Sequence, residues 1–253
     1  MTEILVPRRF CGPPPSGNGG WSAGALAAVT VDRADHADPW PAITVALHQP
    51  PPLDVELPVS TDDGWTLATY DGGTVARARV ADQELTEVPA VPLADAQAAT
   101  SAYRGFISHP FPTCFTCGTG REEGDGLRIF PGDVAGDELS RVAAPWTPHP
   151  SVAEDWHAYQ EAARDASLPV TWAALDCIGG WSADIEARPM VLGTITLRLD
   201  ALPRIGEEHV LVGASHGSEG RKTSTSATLY DAAGSVVATA EHVWITVDPA
   251  MFG

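Results

Sequence analysis

Between frequent breaks at proline and glycine, apolar and polar positions alternate in short runs. In Ala42 to His48, the residues Ile43, Val45 and Leu47 fall on one face, as in a half-buried strand. Val55, Leu57 and Val59 repeat the pattern. Thr66 to Tyr70 and Thr74 to Val80 flank Asp71-Gly72-Gly73, the chemistry of a tight hairpin turn. The second half uses the same grammar: Thr194 to Leu199, His209 to Val212, then Thr223 to Tyr230 and Val236 to Val247 around Asp231-Ala232-Ala233-Gly234. Three helices are predicted. One runs from Gly20 to Val31 with Trp21, Ala25 and Val29 on a stripe. A second starts near Pro169, a residue suited to a first helical turn, and runs through Trp172 and Leu175 to about Cys177. A third, over Ala153 to Ala166, carries Glu154, Asp155, Glu161 and Asp165 and reads as a surface or linker helix.

Each half therefore reads as one helix followed by several antiparallel strands. The strand after each helix shares local sequence, Ile43-Thr44-Val45-Ala46-Leu47 against Ile195-Thr196-Leu197-Arg198-Leu199, with Pro51 and Pro203 at matching offsets. An internal duplication accounts for both the order and the match. Residues 89–112 have little strand pattern and read as a connection, which divides the chain into units at 1–88 and 113–253.

The 253-residue chain is 44% hydrophobic and 19% charged, a globular composition. Thirty-three acidic residues against fifteen basic ones give a formal charge of −18. Such a surface repels phosphate backbones and anionic membranes, which argues against nucleic acid or a membrane as partner. Lys222 is the only lysine. The preference for arginine, with much Ala, Gly, Pro and Asp, is typical of GC-rich bacterial genomes. Met1 to Phe10 holds no apolar run of signal-peptide length, and the longest such run, Gly24 to Val31, is too short to span a bilayer. Four cysteines are too few for a disulfide framework, so the expected compartment is a reducing cytoplasm. Cys114 and Cys117 have the C-x-x-C spacing of zinc ligands. Cys11 and Cys177 stand alone, and neither His109 nor His149 is paired. A structural turn is the preferred reading, with no metal and no cofactor assigned.

Cys114-Phe115-Thr116-Cys117-Gly118, followed by Gly126-Leu127-Arg128-Ile129-Phe130, resembles the opening of hotdog thioesterases of the phenylacetate-pathway type. Trp172-Ala173-Ala174-Leu175-Asp176 resembles their central helix. Gly220-Arg221-Lys222, Leu229-Tyr230-Asp231 and Val236-Val237-Ala238 resemble their last two strands. The first half resembles the N-terminal unit of double-hotdog, type II acyl-CoA thioesterases, with Gly17 to Ala28 opening its helix. The resemblance covers most of the chain and implies an α+β protein of two fused hotdog domains. Each is a curved antiparallel sheet wrapped around a central helix. It also implies an acyl-CoA or related acyl thioester as substrate, and it allows a homodimer of such double units.

In that family a Gly-Gly element at one helix start supplies backbone N–H groups, and a carboxylate on the partner helix completes the site. Here Asn18-Gly19-Gly20 matches the first element, but Ala27 stands at its carboxylate position. Asp176 matches the carboxylate, but Leu168-Pro169-Val170 replaces its glycines. The resemblance thus implies one composite site, with Asn18, Gly19 and Gly20 facing Asp176. It places Thr194 and Glu241 near the water-positioning Thr or Ser and Gln, with Glu a departure from Gln. Trp21 and Trp181 are candidate substrate walls, and Arg221 and Lys222 a candidate cationic spot for the phosphates of CoA. The pentapeptides at Gly19 to Ala23 and Gly179 to Ala183 match but are not equivalent in this register. Two other readings stay open: a hotdog protein that binds acyl thioesters without hydrolysing them or serves as a structural partner, and a hotdog hydratase or dehydratase. The last generally needs a His acting with the Asp, and no His is matched to Asp176.

Overall fold

Strand-forming runs separated by tight turns can satisfy their backbone groups only by pairing with one another. A computed structural model describes residues 2–31, 40–153, 164–248 and 250, and in it all eleven strands join one antiparallel sheet. In the first half these are β1 (Thr2–Leu5), β2 (Ile43–Leu47), β3 (Glu56–Asp62), β4 (Trp65–Tyr70) and β5 (Gly73–Val80). The second half adds β6 (Gly132–Asp133), β7 (Val142–Trp146), β8 (Met190–Leu199), β9 (His209–Glu219), β10 (Lys222–Tyr230) and β11 (Val236–Thr246). The order across the sheet is β1-β3-β4-β5-β2-β8-β11-β10-β9-β7-β6. From the centre outward, β2-β5-β4-β3 on one side repeats as β8-β11-β10-β9 on the other.

The register at the centre makes that repeat concrete. Ile43 pairs with Leu197, Thr44 with Thr196 and Val45 with Ile195. These are the residues that the sequence match sets in correspondence, so the two halves meet about a local two-fold. Its axis passes between Thr44 and Thr196, whose hydroxyls are 2.8 Å apart.

The helices are α1 (Gly19–Thr30), α2 (Leu93–Ala99) and α3 (Leu168–Trp181). Helix α1 packs on β2 and β5, and α3 on β9 and β10. Asn18 caps α1 by accepting from Trp21 N at 2.8 Å, and Ser167 caps α3 by accepting from Val170 N. The hairpin at residues 71–73 forms as expected, with Asp71 and Gly72 both at positive φ, the backbone of a two-residue turn that follows the twist of the strands.

Strand β9 runs seven residues past the expected end at Val212, through Gly213 to Glu219, where small and polar residues hide the alternation. The stretch 89–112 is not bare coil: it holds α2 and two 3-10 turns. Tyr230 donates to Val88 O and Arg141 to Pro89 O, which ties its start to the second half. Of the helix expected over Ala153 to Ala166, residues 154–163 lie outside the described residues. Its end residues, Ala153 and Ala166, pair with each other in an isolated antiparallel bridge. Among the described residues, no helix is long and apolar enough to cross a membrane.

Candidate functional site

The two helices run antiparallel in contact, and small residues on α1 set how closely they approach. A Cβ on Gly20 would lie 2.5 Å from Asp176 Cβ and 2.7 Å from Trp172 O, so no other residue fits without moving the backbone. One turn on, a Cβ on Gly24 would lie 2.7 Å from Pro169 Cα. This approach lets the Gly20 N–H donate to Asp176 Oδ2 at 2.8 Å. Asp176 is 2% exposed, and among the described residues its Oδ1 has no hydrogen-bond partner.

Removing a carboxylate from water without full compensation disfavours its charged form. Burial pushes the Asp176 carboxyl up to about 7, against the smaller opposing pull of the Gly20 N–H; Cys114 nearby adds to the rise and Asn18 opposes it. The group is therefore poised to exchange a proton near neutral pH.

Asn18, Gly19, Asp176 and Trp181 all line one cavity of about 280 Å³. Its walls are mostly apolar, with Phe111, Ile185, Met190, Leu192 and Trp244 among them. Four of the sequence-derived residues, Asn18, Gly19, Gly20 and Asp176, thus come together at the start of α1. The first-turn N–H groups of a helix have no partner inside it and carry partial positive charge. Gly20 spends its N–H on Asp176, which leaves Gly19 as the glycine of the pair that faces the cavity.

The other candidates sit elsewhere. Trp21 is buried with its ring stacked on Phe10 at 4.4 Å, a core position outside the cavity wall. Glu241 accepts from Gln83 Nε2 and from Thr86 N, away from Asp176. The next residue, His242, turns the opposite way and is buried against Thr225 at 3.0 Å, as alternation along a strand requires. Desolvation pushes the imidazole of His242 down to about 4. Thr194 lies on β8 beside the wall residues Leu192 and Gly193 but is not itself on the wall. Arg221 donates to Thr246 O. Lys222 is exposed and pairs across strands with Ile245, a wall residue, but is not itself on the wall. Gly179 and Gly180 close the C-terminal end of α3, where a Cβ on Gly179 would strike Thr225 and His242; they serve close helix–sheet packing, not an N-terminal site.

The fold also collects residues that the sequence left apart. His109 and Phe111, from the stretch read as a connection, line the cavity. Cys177, which stood alone, lies with Cys114 and Cys117: the three sulfurs are all within 4.8 Å of one another, and Cys114 Sγ is 3.6 Å from Cys177 Sγ. Hydrogen bonds from Cys117 and Cys177, then from the backbone N–H groups of Cys117 and Thr116, hold the Cys114 thiol well below the ordinary thiol range. Its two neighbours are pushed up, Cys117 chiefly by burial and Cys177 chiefly by donating to Cys114 and Cys117.

No protein-family model and no curated protein matches this sequence. Solved structures do match, over nearly the whole chain. A putative thioesterase from Novosphingobium aromaticivorans is 15% identical with a TM-score of 0.60, covering 97% of this chain and 95% of its own. A conserved hot dog fold protein of unknown function from Alicyclobacillus acidocaldarius is 14% identical with a TM-score of 0.59, covering 98% and 93%. An acyl-CoA thioesterase II from Mycobacterium marinum is 14% identical with a TM-score of 0.53, covering 99% and 94%. Helices laid on one long antiparallel sheet are thus the hotdog fold, which this protein shares with those solved structures.

Proposed function

We propose that the two halves are fused hotdog units, about 1–88 and 113–253 joined by 89–112, and that the protein hydrolyses acyl thioesters in the cavity between α1 and α3. The observation that carries this reading is Asp176: buried, proton-exchanging near neutral pH, with one oxygen unpartnered, at the N-terminus of the opposite helix. In the proposed reaction Asp176 Oδ1 accepts a proton from a water, and the hydroxide so formed attacks the thioester carbonyl. The Gly19 N–H and the start of α1 stabilise the oxyanion. Collapse expels the thiolate, which regains the proton from Asp176, leaving a free acid and a free thiol. The apolar wall around Trp181 suits an acyl chain. Lys222, paired across strands with the wall residue Ile245, suits the phosphates of CoA, and the −18 charge disfavours an acidic carrier protein.

Thiol release from a panel of acyl-CoAs tests the reading. Asp176→Asn is expected to keep the fold and lose about 100-fold or more in kcat/KM, the usual contribution of a general base. Unchanged hydrolysis in that variant rejects it. One observation favours binding without hydrolysis: Gly20 spends its N–H on Asp176, so the oxyanion site has fewer donors than a Gly-Gly pair can offer. Saturable acyl-CoA binding with no thiol release from the wild-type protein selects that alternative.

A further inference from the structure

We propose that Cys114, Cys117 and Cys177 form a binding site for one thiophilic divalent cation of the zinc class, with its fourth coordination position open to the cavity. Three bonds of about 2.3 Å from thiolates to a tetrahedral zinc set the sulfurs about 3.8 Å apart. Cys114 and Cys177 are already at 3.6 Å, and the third sulfur lies within 4.8 Å of both. The Cys114–Cys117 turn is fixed by Gly118 N donating to Cys114 O at 2.9 Å. A Cβ on Gly118 would lie 2.5 Å from that oxygen, so the turn depends on glycine. Helix α3 then brings the third sulfur from a distant part of the sequence.

A second feature points to sulfur in its anionic, ligating form. The buried Asn18 amide places Nδ2 at 3.7 Å from Cys114 Sγ and 3.9 Å from Cys177 Sγ. Its Oδ1 is committed to the Trp21 N–H, which orients the NH₂ toward the thiols. N–H donors around thiolate ligands are the usual outer support of such sites. All three cysteines lie on the cavity wall, so an ion held by them has room for a water or a substrate atom. On binding, each sulfur that still carries a proton releases it to the buffer as its metal–sulfur bond forms. No electron is transferred.

The test uses the full-length protein, reduced and stripped with a chelator, then titrated with Zn(II) and with Co(II), with no thioester present. One equivalent of tightly held zinc, and a thiolate-to-cobalt charge-transfer band, are expected. Cys177→Ser and Cys114→Ser are each expected to weaken zinc binding by at least about 100-fold, since every ligand contributes to metal affinity. Cys11→Ser, whose sulfur contacts Thr113 O and Arg121 elsewhere, is expected to bind as the wild type does. Asp176→Asn is also expected to keep the metal, so metal binding and hydrolysis can fail separately. The absence of a charge-transfer band in the wild-type protein overturns the proposal even if the serine variants do not fold. Wild-type affinity in a folded Cys177→Ser protein overturns it equally.

Discussion

The contact between α1 and α3 has two ends, and they differ in one respect that decides their chemistry. At one end Gly20 meets Asp176 and a backbone donor serves a buried carboxylate. At the other Gly24 meets Pro169 and Trp172, and Ala27, three residues on along the same face of α1, is buried without a polar group. Pro169 has no N–H to donate and Ala27 has no carboxylate. The packing is alike at both ends, with a glycine admitting a backbone too close for any side chain. What differs is whether a donor and an acceptor survive. Packing and chemistry in a repeated fold are thus separable: sheet order and helix approach are kept in both halves, and the polar pair is kept in one place.

The largest effect is expected from breaking that difference. Ala27→Asp puts a carboxylate at the apolar end, where Pro169 offers no N–H. It is expected to cost about 3–5 kcal/mol at pH 8, the range for an uncompensated buried charge, and less at pH 4, where the carboxyl is protonated. Urea denaturation at the two pH values measures this.

Asp176→Asn is the second test. In the folded protein the carboxyl titrates at about 7, above its ordinary 3.8, so the folded protein binds the proton more tightly than the unfolded chain. That contribution to stability is fully present below pH 3.8 and is lost as pH rises through 7. The Asn variant lacks this loss. About three tenfold steps in proton affinity are worth about 4 kcal/mol, and an Asn amide without a full set of partners takes back about 1 kcal/mol. The variant is therefore expected to be more stable than wild type at pH 8, on the order of 3 kcal/mol, and within about 1 kcal/mol of it at pH 4. In the metal-free wild type, thiol release is expected to rise as pH climbs through about 7, because the base form does the work. A Tm series from pH 4 to 8 and a kcat/KM profile check both signs.

Gly20→Ala should have the smallest effect of the three, about 1–3 kcal/mol, as overpacking usually costs. It sharpens the comparison through activity, since the displaced backbone lengthens the bond to Asp176. Gly24→Ala at the other end is expected to cost comparable stability and little thiol release. Equal activity losses in the two variants would mean that helix spacing, not the Gly20–Asp176 bond, sets the rate.

Much of this was legible in the sequence because strands and hairpins write themselves as alternation and turn residues. Ile43 to Leu47 and Ile195 to Leu199 read as matching strands of a duplication, and the fold pairs them with each other at the sheet centre. The meeting of Asn18 and Gly19 with Asp176 followed from the family resemblance, not from spacing. Other parts were hidden for physical reasons. The far half of β9 is built of small and polar residues on an exposed stretch, where no core imposes a pattern. Trp21 and Trp181 look alike in sequence, yet one stacks in the core and the other lines the cavity, because helical periodicity marks apolar positions without saying what they face. Glu241 and His242 are neighbours, and alternation gave Glu241 the face away from α3. Cys177 is 63 positions from Cys114, and only the fold joins them.

The hydrogen bond between Thr44 and Thr196 has a consequence for how the molecule can change. If two separate identical subunits met at this strand pair, each would present the same threonine, and any substitution would confront its own replica. Only self-complementary residues would survive there, and any gain at one pocket would be copied into the other. A single polypeptide lifts that restriction. Either threonine can be replaced while its partner adapts, and a change beside α1 need not be copied beside α3.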